Sequence, residues 1–121
     1  MRVELRRSYD FAAAHHLPRA PEGHKCRRLH GHSYRIEVAV QGEVDPETGW
    51  LLDYGEIDRR VKPVIAELDH RTLNDIPGLE NATSEILCGW LWERLIDALP
   101  GLQRISVAET CAAACHYFGD R

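Results

Sequence analysis

From Ser33 to Gln41 the chain alternates strictly, with Tyr34, Ile36, Val38 and Val40 on one side and Ser33, Arg35, Glu37 and Ala39 on the other. A period of two residues is that of a strand with one buried face. Such a face has to be covered by another part of the chain. Directly before this strand stands His30-Gly31-His32. In an extended segment residues i and i+2 project from the same face, so the two imidazoles can reach one ion, with Gly31 leaving the backbone unobstructed between them. Two ligands do not hold zinc, and a third is needed.

Residues 2–8 alternate Val3 and Leu5 with charged neighbours and read as a first strand, closed by Phe11 to Leu17. Pro18, Pro21 and Gly23 break regular structure up to Leu29. A loop of that length in a compact domain is often functional. After the alternating strand, Gly42 to Gly49 is a turn and Trp50-Leu51-Leu52 a short return strand. Asp53 and Glu56 fit a capping pattern, and Ile57, Val61, Val64, Ile65 and Leu68 recur at helical spacing. Pro63 either kinks that helix or falls in its first turn if the helix starts late. Thr83 or Ser84 caps a second helix whose buried stripe is Ile86, Leu87, Trp90, Leu91, Leu95 and Leu99, with Trp90 a better core residue than Trp92. Pro100-Gly101 stops it. Residues 103–109 and 114–118 supply the last strands. The order predicts an α+β domain, an antiparallel sheet with two helices on one face.

A chain of 121 residues with 44% apolar and 28% charged side chains fits one soluble globular domain, residues 1–121. A net charge of -4 argues against nucleic acid as partner. Locally, Arg19, Lys25, Arg27 and Arg28 crowd the approach to the histidine pair, which reads as an anion site or as a solvated loop. No apolar run nears the length of a membrane span; Ile86 to Trp92 is interrupted by Gly89. Met1 to Leu5 lacks the apolar core of a signal peptide. A cytoplasmic protein is therefore expected, with Cys26, Cys88, Cys111 and Cys115 as thiols.

Seven histidines are available for the third ligand. His15 or His16, at the end of the first strand, meets the requirement if the first two strands form a hairpin across the long loop. Three neutral imidazoles leave a fourth position open, which is a catalytic arrangement. A competing set, Cys111, Cys115 and His116, lacks a fourth ligand. Asp69 and His70 lie at a helix end where neighbours point apart, so the two need not touch. His70 reads there as a helix-terminal histidine stabilised by the dipole or as an imidazole made more basic by the carboxylate. Cys26 is either a small buried residue or, among Lys25, Arg27 and imidazoles, a thiolate able to act as base or nucleophile. Glu109 ends a strand.

Taken together, these residues resemble the 6-pyruvoyltetrahydropterin synthase superfamily, in particular its queuosine-pathway branch, which forms a carboxylated tetrahydropterin. The resemblance runs over nearly the whole chain: Phe11 to Leu17, Cys26-x-x-x-His30-Gly31-His32, Val44-Asp45-Pro46 with Gly49-Trp50, Leu68-Asp69-His70 with Leu73-Asn74, Asn81 to Glu85, and Glu109-Thr110-Cys111. The three residues between Cys26 and His30 are similar to the carboxy-pterin branch, where the pyruvoyl-forming synthases have a longer interval. His16 is a departure, since relatives often carry arginine there.

The resemblance implies zinc on His15, His30 and His32, with His15 selected over His16 because it directly follows the alanines. It implies Cys26, Asp69 and His70 as proton-transfer groups, and Glu109 with Thr83 and Ser84 as pterin-binding residues. A carboxylate suits that task because it accepts two parallel hydrogen bonds from the pterin's guanidine-like edge. The implied reaction converts 7,8-dihydroneopterin triphosphate to 6-carboxytetrahydropterin, acetaldehyde and triphosphate. Alternatives are a pyruvoyl-forming or sepiapterin-cleaving activity, or a non-catalytic zinc-binding relative. The implied fold is the tunnelling fold, in which a homo-oligomer built on trimers, up to a hexamer, joins its sheets into a barrel. Lys25, Arg27, Arg28 and His24 are candidates for holding the triphosphate.

Overall fold

A computed structural model describes residues 1–120. Four strands form one antiparallel sheet in the order β1-β2-β3-β4, with β1 Arg2–His15, β2 His30–Glu43, β3 Leu102–Thr110 and β4 Ala113–Tyr117. Two helices, α1 Tyr54–Ala66 and α2 Ser84–Leu95, complete the α+β architecture. In the single chain the sheet is open. Among the described residues, no helix is long and apolar enough to cross a membrane.

The alternation of Tyr34, Ile36, Val38 and Val40 does define the buried face, and all four are at most 1% exposed. Ile57, Val61, Val64 and Ile65 of α1 and Leu87, Cys88, Leu91 and Leu95 of α2 cover it, so both helices lie on one side. Asp53 starts α1 by accepting from the Gly55 N–H, and Thr83 starts α2 by accepting from Ile86. Pro63 lies near the end of α1, not in its first turn.

Both leading strands are longer than the apolar alternation suggests, because β1 and β2 pair over their full lengths, from Arg2 opposite Glu43 to His15 opposite His30. Residues 16–29 close this hairpin and carry a short 3-10 turn, Lys25–Arg27. Trp50-Leu51-Leu52 is not a strand. Trp50 is exposed, and Leu51 packs where a side chain at Gly42 would stand. On α2, Ile86 faces solvent, and Trp90 and Trp92 both pack at the rim of the core. Gly101, with φ +84, brings its backbone against Gln41 and leads the chain into β3; an added Cβ would lie 2.4 Å from the Gln41 carbonyl.

Candidate metal centre and active site

The buried face of the sheet changes character at one end. Along β1 the inward row Phe11 and Ala13 continues into His15; along β2, Ile36 and Tyr34 continue back into His32 and His30; along β3, Ile105 and Val107 continue into Glu109. The hairpin register places His15 opposite His30 and Ala13 opposite His32. The three imidazoles therefore meet edge to face, with ring centroids 4.5, 5.1 and 4.8 Å apart, and one nitrogen from each lies within 4.8 Å of the others.

Backbone carbonyls set the tautomers. His15 Nδ1 lies 2.6 Å from the Ala82 carbonyl and His30 Nδ1 2.7 Å from that of Arg28. A carbonyl only accepts, so each Nδ1 carries the proton and each Nε2 presents a lone pair. His15 is 1% exposed, and burial pushes its pKa below the ordinary value even though the Ala82 carbonyl opposes that shift. Nε2 of His15 and of His32 are buried with no hydrogen-bond partner. Buried ring nitrogens without a partner, converging at one point, suit a cation, which needs neutral imidazoles. The residues present fit a divalent metal.

Glu109 stands against this group. Its Oε1 accepts from Ser84 Oγ at 2.8 Å and lies 4.0 Å from His15 Nε2; Oε2 lies 3.6 Å from His32 Nε2. Ser84 begins α2 next to the capping Thr83, so the start of the second helix and the end of the third strand join the histidine cluster.

Asp69 and His70 do touch, at 2.9 Å from Oδ1 to Nδ1. They can because His70 adopts the left-handed conformation, φ 59, uncommon for a residue with a side chain. The backbone there is held by the free edge of β1: His70 N–H donates to the Ala12 carbonyl at 2.6 Å, Ala12 N–H donates to Asp69 Oδ1 at 3.1 Å, and Ala14 N–H donates to the Arg71 carbonyl at 3.0 Å. His70 thus lies beyond the end of α1, bound to β1. Its ring is exposed, and it lines a 540 Å³ depression with His32, Gly31 and Ala12 to Ala14. A Cβ at Gly31 would meet only the Ala13 carbonyl, at 3.7 Å, an ordinary contact. No close approach within the chain explains that glycine.

Cys26 is half-buried in the 3-10 turn, and its carbonyl accepts from Leu17 N–H at 2.7 Å, which ties it to the end of β1. The triphosphate candidates are partly committed locally. Arg27 donates to the Ala20 carbonyl, and His24 caps the turn by accepting from Cys26 N–H. The set Cys111, Cys115 and His116 does not converge: His116 bonds Ser106, whereas Cys115 packs against the core beside the buried Cys88.

Sequence reasoning missed the supports of the site. The carbonyls of Ala82 and Arg28 carry no side-chain signature. Asn74 does, and its amide grips both backbone groups of His16, at 2.9 and 2.8 Å, together with the Glu80 carbonyl at 3.0 Å. This single side chain links the end of β1 to the segment that orients His15. An asparagine directly following a buried leucine after Asp69-His70 was its only trace.

An open antiparallel sheet whose buried face ends in three histidines and a carboxylate defines an α+β protein with a group of side chains that could hold a metal ion. The chain belongs to the 6-pyruvoyl tetrahydropterin synthase family, whose profile matches residues 4–120. It is 42% identical, over 95% of its length and 92% of the relative's, to 6-carboxy-5,6,7,8-tetrahydropterin synthase of Synechocystis. It is 38% identical to the dihydroneopterin monophosphate aldolase of Pyrococcus furiosus, over 89% of each chain. Among solved structures, 6-pyruvoyl tetrahydropterin synthase of Caenorhabditis elegans superposes with a TM-score of 0.91 at 27% identity, covering 99% of this chain and 97% of that one.

Proposed function

We propose that the chain, acting as one domain, is a zinc-dependent carbon-carbon lyase of queuosine biosynthesis that converts 7,8-dihydroneopterin triphosphate and one water to 6-carboxy-5,6,7,8-tetrahydropterin, acetaldehyde and triphosphate. The observation that carries the reading is the convergence of His15, His30 and His32 with Glu109 and Ser84 at one end of the sheet. The similarity to the Synechocystis synthase supports the choice of reaction.

In this reading the three histidines hold zinc, which when bound acidifies the substrate's side-chain hydroxyls and stabilises negative charge on them. Glu109 accepts two hydrogen bonds from the pterin's amino group and ring N–H, with Ser84 and Thr83 beside it. Cys26 takes or returns a proton at the side-chain carbons. His70 does the same through Nε2, because Asp69 engages Nδ1 and so fixes which nitrogen is free. The His70 ring is 81% exposed on the single chain. That suits a site completed by a second copy, in a cytoplasmic homo-oligomer built on trimers, up to a hexamer.

The test is mass analysis of products from 7,8-dihydroneopterin triphosphate with the zinc-loaded protein. Acetaldehyde and 6-carboxytetrahydropterin are expected; a pyruvoyl product without acetaldehyde overturns the assignment. The similarity to the Pyrococcus aldolase favours one second reading, cleavage of a dihydroneopterin monophosphate. Release of glycolaldehyde phosphate from that substrate identifies it.

A further inference from the structure

Glu109 faces His15 and His32 in a way that no hydrogen bond explains. Because the Ala82 carbonyl holds the proton of His15 on Nδ1, its Nε2 offers a lone pair to a carboxylate oxygen 4.0 Å away that offers another. Neither group can donate, and His15 is 1% exposed while Glu109 is 28% exposed, so water reaches the pair only from the carboxylate's side. A cation placed between them turns this repulsion into attraction on both sides. When zinc holds nitrogen and oxygen donors at its usual distances, neighbouring donors in a tetrahedron stand roughly 3.4 Å apart. Glu109 Oε2 is already 3.6 Å from His32 Nε2. The carboxylate approaches two of the imidazoles and stands outside the three-histidine group itself, as a ligand that can leave would.

We infer that Glu109 is the fourth ligand of the metal in the substrate-free protein and leaves it when the N–H edge of a pterin binds the same carboxylate. This rests on the metal and pterin roles given under Proposed function. A carboxylate oxygen committed to the metal cannot also receive the pterin's two parallel hydrogen bonds, so the two ligands compete. By linkage each weakens the other by the same factor. The Ser84 hydroxyl, bound to Oε1, keeps the carboxylate within reach of both positions. The fourth position on the metal is thus filled at rest and opens as substrate arrives.

Zinc affinity of metal-free protein, measured by competition with a chromophoric chelator, tests the ligation. Glu109→Gln keeps the size of the side chain and is expected to bind zinc at least about tenfold more weakly. Visible spectra of the Co2+-loaded proteins separate direct ligation from charge acting at a distance. The wild-type bands are expected to differ from those of E109Q. Unsubstituted pterin, which lacks side-chain hydroxyls, should move the wild-type bands toward the E109Q spectrum and leave E109Q unchanged. Equal zinc affinities overturn the inference, and so does weaker binding with identical Co2+ spectra. The pterin experiment needs no variant: pterin that quenches its own fluorescence on binding without moving the wild-type Co2+ bands also overturns it. Failure to turn over 7,8-dihydroneopterin triphosphate sinks the proposed reaction and leaves these measurements standing; failure of the wild type to bind zinc sinks the metal site.

Discussion

Filling the three-histidine site should stabilise the fold by an amount that can be worked out in advance. A ligand that binds only the native state adds about 2.7 kcal/mol when present at about 100 times its dissociation constant. For a chain of 121 residues, an unfolding entropy of about 2.1 cal/mol/K per residue converts this to a rise in Tm of roughly 11 °C. Calorimetry of chelator-treated protein with and without zinc reads the shift directly. His30→Ala removes one of the converging nitrogens and should abolish the rise. His16→Ala should keep it, since His16 stands one residue away but outside the group. His15 needs no deprotonation at neutral pH, because burial already holds its pKa below the ordinary value, so the rise should be present at pH 7. An unchanged Tm in saturating zinc, or an equal rise in H30A, refutes the ligand assignment.

Cys26→Ala is expected to lower turnover by about a hundredfold or more while leaving the zinc-induced rise in Tm and pterin binding in place; unaltered turnover excludes the proton-transfer role. Asp69→Asn keeps the shape but weakens the hold on His70 Nδ1 and on Ala12 N–H, so turnover should fall about tenfold or more with zinc affinity unchanged. Away from the site, Asp58 accepts two hydrogen bonds from Arg7 and one from Tyr9. These hold its pKa down, from 3.8 to about 2. The folded pKa lies below the unfolded one, so the stabilisation is fully present above the unfolded value and is lost as pH falls toward 2. The Tm difference between wild type and Asp58→Asn should therefore shrink between pH 4 and pH 2, and a difference constant over that range would contradict the pairing.

The alternation in β2 was legible because apolar residues carry it, and the buried face it predicts is the one observed. The same strand's continuation through Gly31 was not, since that segment owes its pairing to the hairpin register with Ala13 to His15. Trp50-Leu51-Leu52 reads as a strand by composition, but apolar residues without a partner strand simply pack where they can. The candidate ligands could be narrowed to His15 or His16 with His30 and His32 from spacing, and the resemblance chose His15, which is the one the fold brings beside the pair. The contact of Asp69 with His70 was one of two readings left open, because it depends on a left-handed backbone that a sequence of ordinary L-residues does not announce. The meeting of Ser84 with Glu109, which joins a helix start to a strand end 25 residues later, was implied by the resemblance and not by any spacing.

All three imidazoles belong to one hairpin, and the register of β1 against β2 sets them side by side, with the Arg28 carbonyl of the connecting segment held against His30 Nδ1. Cys26 sits inside that connecting segment. Insertions or deletions before Arg28 would move the thiol relative to the three imidazoles while leaving the strand register in place. If the proposed roles of the three histidines and of Cys26 hold, the part that captures the ion and the part that chooses what is done to the substrate can diverge separately. Loop length becomes the variable on which new reactions of this family can be drawn.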